Sequence, residues 1–172
     1  MDAVRSLHFL ADLHYHQKDY RLAVTFYTEA LRIESELHGY TSEDVAKSLN
    51  CIGSAKSMQN EFSLAMESHQ EALCILQSLH GEEDIKHPLI SDTLCQIGAV
   101  YYRERNSLTA VKSPDDGYST FIESGMLEMI GRAHEERGSY KMAISFFEEK
   151  LQFLENQAEA EDDLEDAATT LN

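Results

Sequence analysis

Three side chains that can bind a metal ion follow one another near the start of the sequence. His8, Asp12 and His16 are spaced four residues apart, and residues at this spacing lie on the same side of a helix. Pairs of ligands four residues apart hold zinc in helical sites. The stripe nevertheless drifts around the helix axis, and the sequence suggests no fourth ligand. We therefore interpret these residues as a polar helix surface and expect neither a metal ion nor a cofactor.

The cysteines are the next candidates for chemistry. Cys51 and Cys95 stand beside the small residues of helical patterns, where a buried thiol is usually inert. The sequence contains no nucleophile elbow, Gly-rich phosphate loop or metalloprotease motif. With Cys74 the chain has three cysteines, an odd number without metal-ligand spacing. We expect a non-enzymatic, cytoplasmic protein with reduced thiols.

A candidate phosphorylation site lies at Ser113, which Pro114 and two aspartates follow. A phosphate there would lie at a helix N-terminus, which favours it, but close to the aspartates, which do not. The alternative is a plain helix start, with Ser113 as N-cap, Pro114 in the first turn and Asp116 closing a capping box.

A short fragment that recurs four times along the sequence predicts the helices on which these residues lie. Each copy is a leucine, two variable residues, an aliphatic residue and a small residue. The copies end at Ala11, Gly53, Gly98 and Gly131, and a second small residue follows about twelve positions later at Ala23, Ala65, Ala110 and Ala143. Apolar residues between them recur at intervals of three and four, which predicts paired amphipathic helices. Such hairpins bury their apolar faces only by stacking on one another.

This pattern of aliphatic, small and aromatic residues resembles the tetratricopeptide repeat (TPR) family, as in Leu7, Leu10, Ala11, Tyr20, Ala23, Tyr27 and Ala30. The resemblance implies an all-α solenoid of about 3.5 helical hairpins. We expect a repeat domain over residues 1–157, with repeats at about 3–44, 45–88, 89–123 (degenerate) and 124–157. An acidic tail over 158–172 would follow.

The spacing of the repeats refines the resemblance. From Ala11 to Gly53 is 42 residues and from Gly53 to Gly98 is 45, longer than the usual period of about 34 residues. The surplus falls in the linkers that begin at Leu37-His38-Gly39 and Leu79-His80-Gly81. These linkers are similar to those of the 42-residue subtype in kinesin light chains and nephrocystin-like proteins.

The third repeat departs from the pattern. Its second helix is expected to begin at Asn106, but Pro114 follows soon after, and proline inside a helix costs about 3 kcal/mol. One interpretation is a truncated second helix followed by a long helix from about Pro114 to Arg137. The other is a second helix kinked at Pro114, with a turn at Ser124-Gly125.

In this family the first helices of successive hairpins line a concave groove that binds peptides. Carried over position by position, the groove residues are Arg5, His8, Asp12, Tyr15, Lys47, Asn50, Ser54, Gln96, Tyr102 and Arg132. Asn50 matches the asparagine that the kinesin-light-chain pattern places in the groove, where an amide both donates to and accepts from a peptide backbone.

The charge of the chain bears on its partners. A formal net charge of −17 disfavours nucleic acid and anionic membranes, which need a basic surface, and favours a basic partner. No apolar run is long enough to span a membrane. We expect an interaction module that binds a protein or peptide in its groove, and the charge favours a basic one. The alternative is a structural subunit or self-associating scaffold, whose apolar contact surface would include Val111, Tyr118, Phe121 and Ile122.

Overall fold

The fold is built from helices alone in every residue that the computed structural model describes, namely 2–81, 86–110, 124–152 and 154–155. The helices are α1 (Asp2–His16), α2 (Tyr20–His38), α3 (Glu43–Met58), α4 (Phe62–His80), α5 (Pro88–Ala110), α6 (Ser124–Glu136) and α7 (140–152). The predicted all-α, TPR-like solenoid class is confirmed. None of the helices in these ranges has the length and apolarity needed to cross a membrane.

The chain divides into two compact units, Met1–Asp116 and Gly117–Asn172. In the first unit α1 packs on α2, α2 on α3, α3 on α4, and α5 on both α4 and α3. The second unit contains α6 and α7. The repeat boundaries and the acidic tail stay predictions. Residues 111–123, with Ser113, Pro114 and the expected apolar contact surface, lie outside the described residues. The turn expected at Ser124-Gly125 is wrong, because both residues belong to α6.

The described hairpin turns share one backbone pattern. Seven positions after the small residue of the repeat, the chain takes a positive φ: 64° at Lys18, 64° at Asn60 and 71° at Gly138. The next N–H donates to a carbonyl five residues back: Asp19 to His14, Glu61 to Lys56 and Ser139 to His134, at 2.8–3.0 Å. This hydrogen bond and the left-handed residue before it define a Schellman motif, which ends one helix and starts the next.

The third repeat lacks this turn, so the predicted start of a second helix at Asn106 is wrong. Helix α5 runs without interruption from Pro88 to Ala110. The position that would need a positive φ is Arg105, where a side chain makes the left-handed conformation costly. Lys18 does adopt it, but residues 103–105 are Arg-Glu-Arg, which favour a helix intrinsically. Helix continuation is therefore the lower-energy outcome here.

The small residues of the repeat lie where two helices approach most closely. A Cβ added at Gly53 would lie 2.8 Å from the His69 ring, and one added at Gly131 would lie 3.1 Å from the Phe147 ring. In each hairpin the aromatic residue stands sixteen positions after the glycine. The small residue is thus required because a ring from the second helix packs against the first.

The aliphatic residue of the repeat is buried in three of the four copies. Ile52, Ile97 and Ile130 are at most 5% exposed, whereas Leu10 is 41% exposed. The expectation that Leu10 belongs to a buried face is therefore wrong. Helix α3 packs on both α2 and α4, but α1 packs mainly on α2, which leaves one side of α1 open.

His14 packs as an aromatic residue. Its ring stacks on Phe26 at a centroid distance of 5.4 Å and an interplanar angle of 12°. In the second unit His134 stacks on Phe146 in the same way, at 5.5 Å and 10°. Both histidines stand three positions after the small residue of their repeat, so the same stack occurs in two hairpins, whereas Lys56 takes this position in the hairpin of α3 and α4.

Candidate partner-binding groove

A pocket of about 290 Å³ lies where α1, α3 and α5 face the same space. We call it the α1–α3–α5 groove. Its lining consists of Asp12, Tyr15 and His16 from α1, Tyr27 from α2, Asn50, Cys51 and Ser54 from α3, and Gln96 from α5. The structure thus brings together five of the predicted groove residues, namely Asp12, Tyr15, Asn50, Ser54 and Gln96.

An ordered carboxylate lies at one side of this groove. The Tyr27 hydroxyl donates to Asp12 Oδ1 over 2.5 Å. Burial, followed by this hydrogen bond, raises the pKa of Tyr27 well above its usual value, so the phenol remains a donor at every physiological pH. Asp12 is otherwise exposed and keeps lone pairs that can accept hydrogen bonds from a ligand.

Asn50 is held from both sides of its amide. Its Nδ2 donates to Thr93 Oγ1 over 2.6 Å, and the Thr93 hydroxyl donates in turn to the carbonyl of Leu89. His69 Nδ1 lies 2.9 Å from Asn50 Oδ1. Because an amide oxygen only accepts, Nδ1 must carry the proton. Asn50, 7% exposed, therefore ties α3 to α4 and α5 as well as lining the groove.

His69 is the member of this chain of hydrogen bonds that can take up a proton. Its side chain is fully buried, and its Nε2 has no hydrogen-bond partner among the described residues. Burial lowers the pKa of His69 to about 4. The imidazole is therefore neutral at physiological pH, which fits the tautomer that Asn50 imposes.

A second polar cluster joins α1, α2 and α3 through a buried carboxylate. Glu34 is 5% exposed; it accepts from Ser48 Oγ over 2.5 Å and lies 2.9 Å from His8 Nε2. Ser48 Oγ is also 3.0 Å from the same His8 nitrogen. In a catalytic triad, by contrast, the two ring nitrogens contact the nucleophile and the acid separately. The use of one nitrogen for both contacts makes this cluster a structural network.

The thiol in the groove is not activated. Burial is the main cause that raises the pKa of Cys51 to about 11, and the nearby carboxyl groups of Asp12 and Glu34 raise it further. The thiol is therefore almost entirely protonated at neutral pH, whereas a cysteine nucleophile needs a lowered pKa.

A smaller pocket of about 120 Å³ shares Tyr15, Ser54 and Gln96 with the groove and ends at Arg103. The Arg103 guanidinium lies against Met58 Sδ and is close enough to Tyr15 to act on its pKa. Burial, the largest influence, raises the pKa of Tyr15. This extension adds a cationic end to a groove whose other charged lining residue is Asp12.

The remaining predicted groove residues lie elsewhere. Arg5 is exposed on α1, and Lys47 is exposed on α3, where it pairs with Glu43 and Asp44. His8 belongs to the Glu34 cluster, and Tyr102 contacts the Tyr101 ring edge-on at 6.1 Å. Arg132 is exposed on α6 in the second unit. The role of all ten residues in partner binding stays a prediction.

The three residues of the stripe on α1, His8, Asp12 and His16, each contact a different partner. His8 contacts Glu34, Asp12 accepts from Tyr27, and His16 lies on the groove with its ring edge-on to Tyr15. Among the described residues, the group whose ligand atoms do converge is Glu43, His80 and His87.

Sequence reasoning missed two of the residues that give the groove its chemistry. Tyr27 lies on a second helix, whereas the family pattern places groove residues on first helices. Arg103 is not among the residues that the resemblance places in the groove. The signal that could have identified Tyr27 is its place on the second helix of the hairpin, opposite Asp12 on the first.

Comparison with known proteins agrees with this architecture. Residues 2–78 match the sequence profile of the tetratricopeptide repeat. The crystal structure of BtubC (BKLC) from P. vanneervenii superposes with a TM-score of 0.52 at 19% sequence identity, over 90% of this chain. The chain spans 64% of the length of that protein. At this identity the similarity concerns the fold alone. No match was found among curated protein sequences.

Proposed function

We propose that this chain is a non-enzymatic interaction module that binds a peptide or a segment of a partner protein in the α1–α3–α5 groove. The observation that carries the proposal is that side chains of three helices, α1, α3 and α5, line one pocket: Tyr15, Ser54 and Gln96. TPR repeats generally mediate protein–protein interaction, and residues 2–78 match that repeat.

The chemistry of the lining suggests how a peptide would be held. Asp12 offers a carboxylate already oriented by Tyr27, and Ser54 and Gln96 offer both donors and acceptors. The Ser54 hydroxyl and Gln96 Oε1 are 3.4 Å apart, a long contact that a ligand can replace at little cost. Asn50 would act indirectly, because its amide already bonds His69 and Thr93.

A matched pair of substitutions tests the groove. Ser54→Arg places a long side chain inside the pocket, and Ser63→Arg places the same side chain on the exposed surface of α4. Peptides are selected against the wild-type chain from a display library, and their dissociation constants are measured by fluorescence anisotropy. We expect Ser54→Arg to weaken binding at least tenfold and Ser63→Arg to leave it unchanged, with both variants retaining wild-type circular dichroism. Equal effects of the two substitutions would contradict the proposal.

We also propose that the first two hairpins belong to the long-linker subtype found in kinesin light chains and nephrocystin-like proteins. The support is the spacing of 42 and 45 residues between their small residues and the similarity of the linkers. A cytoplasmic location is supported by the three cysteines, all of which are free thiols, as is usual in reducing compartments.

A second candidate function is a self-associating scaffold. On α1, Phe9, Leu10 and Leu13 are 64%, 41% and 44% exposed and follow one another on one side of the helix. A second copy of the chain would cover this apolar surface. Sedimentation velocity separates the candidates: a concentration-dependent dimer that Phe9→Lys abolishes supports association, and a monomer at all concentrations argues against it.

A further inference from the structure

Three helix ends of the first unit meet at a cluster of side chains that can bind a metal. Glu43 is the first residue of α3, His80 is the last residue of α4, and His87 immediately precedes α5. One carboxylate oxygen and one ring nitrogen from each histidine all lie within 4.8 Å of one another. All three residues are partly buried.

Two nitrogens of this cluster lack hydrogen bonds. His80 Nε2 and His87 Nδ1 are shielded from solvent, and neither has a hydrogen-bond partner among the described residues. His80 Nε2 is 3.0 Å from Glu43 Oε1, but the two atoms form no hydrogen bond. Buried polar atoms without partners are rare in native proteins, and two such nitrogens beside one carboxylate call for a cation.

We propose that Glu43, His80 and His87 form a binding site for a divalent transition metal of the zinc type. Imidazole nitrogen with one carboxylate oxygen is a donor set that Zn²⁺ accepts, at about 2.0–2.2 Å from each ligand atom. Ca²⁺ and Mg²⁺ prefer oxygen ligands throughout, and Cu(I) prefers sulfur. Three protein ligands leave a fourth position for water or for a side chain of a partner.

Metal binding requires a small movement of the side chains. The rings of His80 and His87 stack with centroids 3.7 Å apart and planes 18° apart. Lone pairs in nearly parallel planes do not point to a common centre, so one ring must rotate. His87 lies outside the helices and is the freer of the two to do so.

The charges around the site modulate its affinity. Lys47 Nζ lies 3.6 Å from Glu43 Oε2 and 3.4 Å from Asp44 Oδ1, so it competes with a metal for the Glu43 carboxylate. His80 lies at the C-terminal end of α4, where the helix dipole favours a cation. A metal bound here would connect the ends of α3, α4 and α5 and so stabilise the first unit. This site stands independently of the α1–α3–α5 groove.

Calorimetry on the untagged chain after removal of metals with EDTA tests the site. Titration with Zn²⁺ is expected to show one equivalent bound and a raised Tm, with no competition from Mg²⁺ or Ca²⁺. His80→Gln and His87→Gln should each weaken binding at least about tenfold, because even the loss of an outer hydrogen-bond partner costs 10–100-fold in metal affinity. Lys47→Met should strengthen it.

The control is His38→Gln, because His38 ends α2 as His80 ends α4 and is exposed. It should bind Zn²⁺ like the wild type. The absence of Zn²⁺ binding, or binding that neither His80→Gln nor His87→Gln weakens, would overturn the proposal. Should either variant unfold, NMR of the ring nitrogens in the wild type decides the matter. Zn²⁺ must shift the signals of His80 and His87, and unchanged signals would equally overturn the site.

Discussion

His69 connects the stability of the protein to pH. An unfolded histidine takes up a proton near pH 6.5, whereas burial lowers the pKa of His69 to about 4 in the folded chain. Between these values the unfolded state binds more protons, so the free energy of unfolding falls as the pH falls through this window. The full contribution of this one residue is about 3 kcal/mol. Urea unfolding at pH 7.5 and pH 4.5 measures the change in the free energy of unfolding.

The variant that isolates this effect is His69→Phe, since Phe147 and Tyr27 occupy the same position in other hairpins. It should lose much of the pH dependence. It should also lose about 1–3 kcal/mol at neutral pH, because Asn50 Oδ1 is left without its donor. His16→Gln, at an exposed position, should keep the wild-type dependence. An unchanged pH dependence in His69→Phe would contradict the assignment.

The surroundings of Cys74 and Cys51 predict that the two thiols differ in reactivity. Cys74 is exposed on α4, whereas burial raises the pKa of Cys51 to about 11. Because the thiolate is the reacting species, we expect Cys74 to react first with a disulfide reagent at pH 8. Cys74→Ser should remove the fastest phase. A fast phase that survives this substitution would mean that a thiol on α3 or α5 is activated.

Single residues were the least predictable scale. Asn50 was expected to hold a peptide backbone, which its position on α3 allows. Its two hydrogen-bond partners, His69 and Thr93, lie 19 and 43 residues further along the chain. No local pattern reveals such pairings.

At the scale of elements, the contact between α3 and α4 depends on Gly53. Replacing glycine by alanine inside a helix ordinarily gains about 1 kcal/mol. Here the new Cβ would lie 2.8 Å from His69 Nε2, and the ring cannot move without breaking its bond to Asn50. We expect Gly53→Ala to lower the free energy of unfolding by about 1–3 kcal/mol, as measured by urea titration.

Gly131→Ala is the matched substitution in the second unit. Its Cβ would lie 3.1 Å from Phe147, which is only half-buried and has room to shift. We expect a smaller loss or none. A stabilising Gly53→Ala would show that the two helices separate easily at this point.

The helices of the regular hairpins were predictable because apolar periodicity and turn residues agree there. The helices of the third repeat were not predictable, because its apolar pattern continues while no turn forms at the position where the other hairpins have a positive φ. Helix α5 passes through Arg105 without the turn that the regular hairpins form at the equivalent position.

The whole molecule is strongly acidic, with a net charge of −17, and this field should affect the rate of association. For a basic peptide we expect the association rate to fall about tenfold between low salt and 0.5 M salt, while dissociation changes little. Stopped-flow fluorescence measures both rates. A neutral peptide selected in parallel is the control. A salt-independent association rate for the basic peptide would remove the electrostatic part of the account.

The solenoid class could be predicted from sequence because a recurring fragment reports directly on stacking. The Glu43, His80 and His87 cluster could not be predicted, since its members come from three separate helix ends and share no motif. Their proximity follows only from the packing of α3, α4 and α5.

The central claim is that a partner lies on α1, α3 and α5, and NMR titration of the labelled chain with a selected peptide tests it most directly. The account predicts the largest changes in amide chemical shift around Tyr15, Ser54 and Gln96. It predicts little change around Thr28 on α2 and Ser63 on α4. The largest changes on α2 and α4, with the groove signals unmoved, would contradict it.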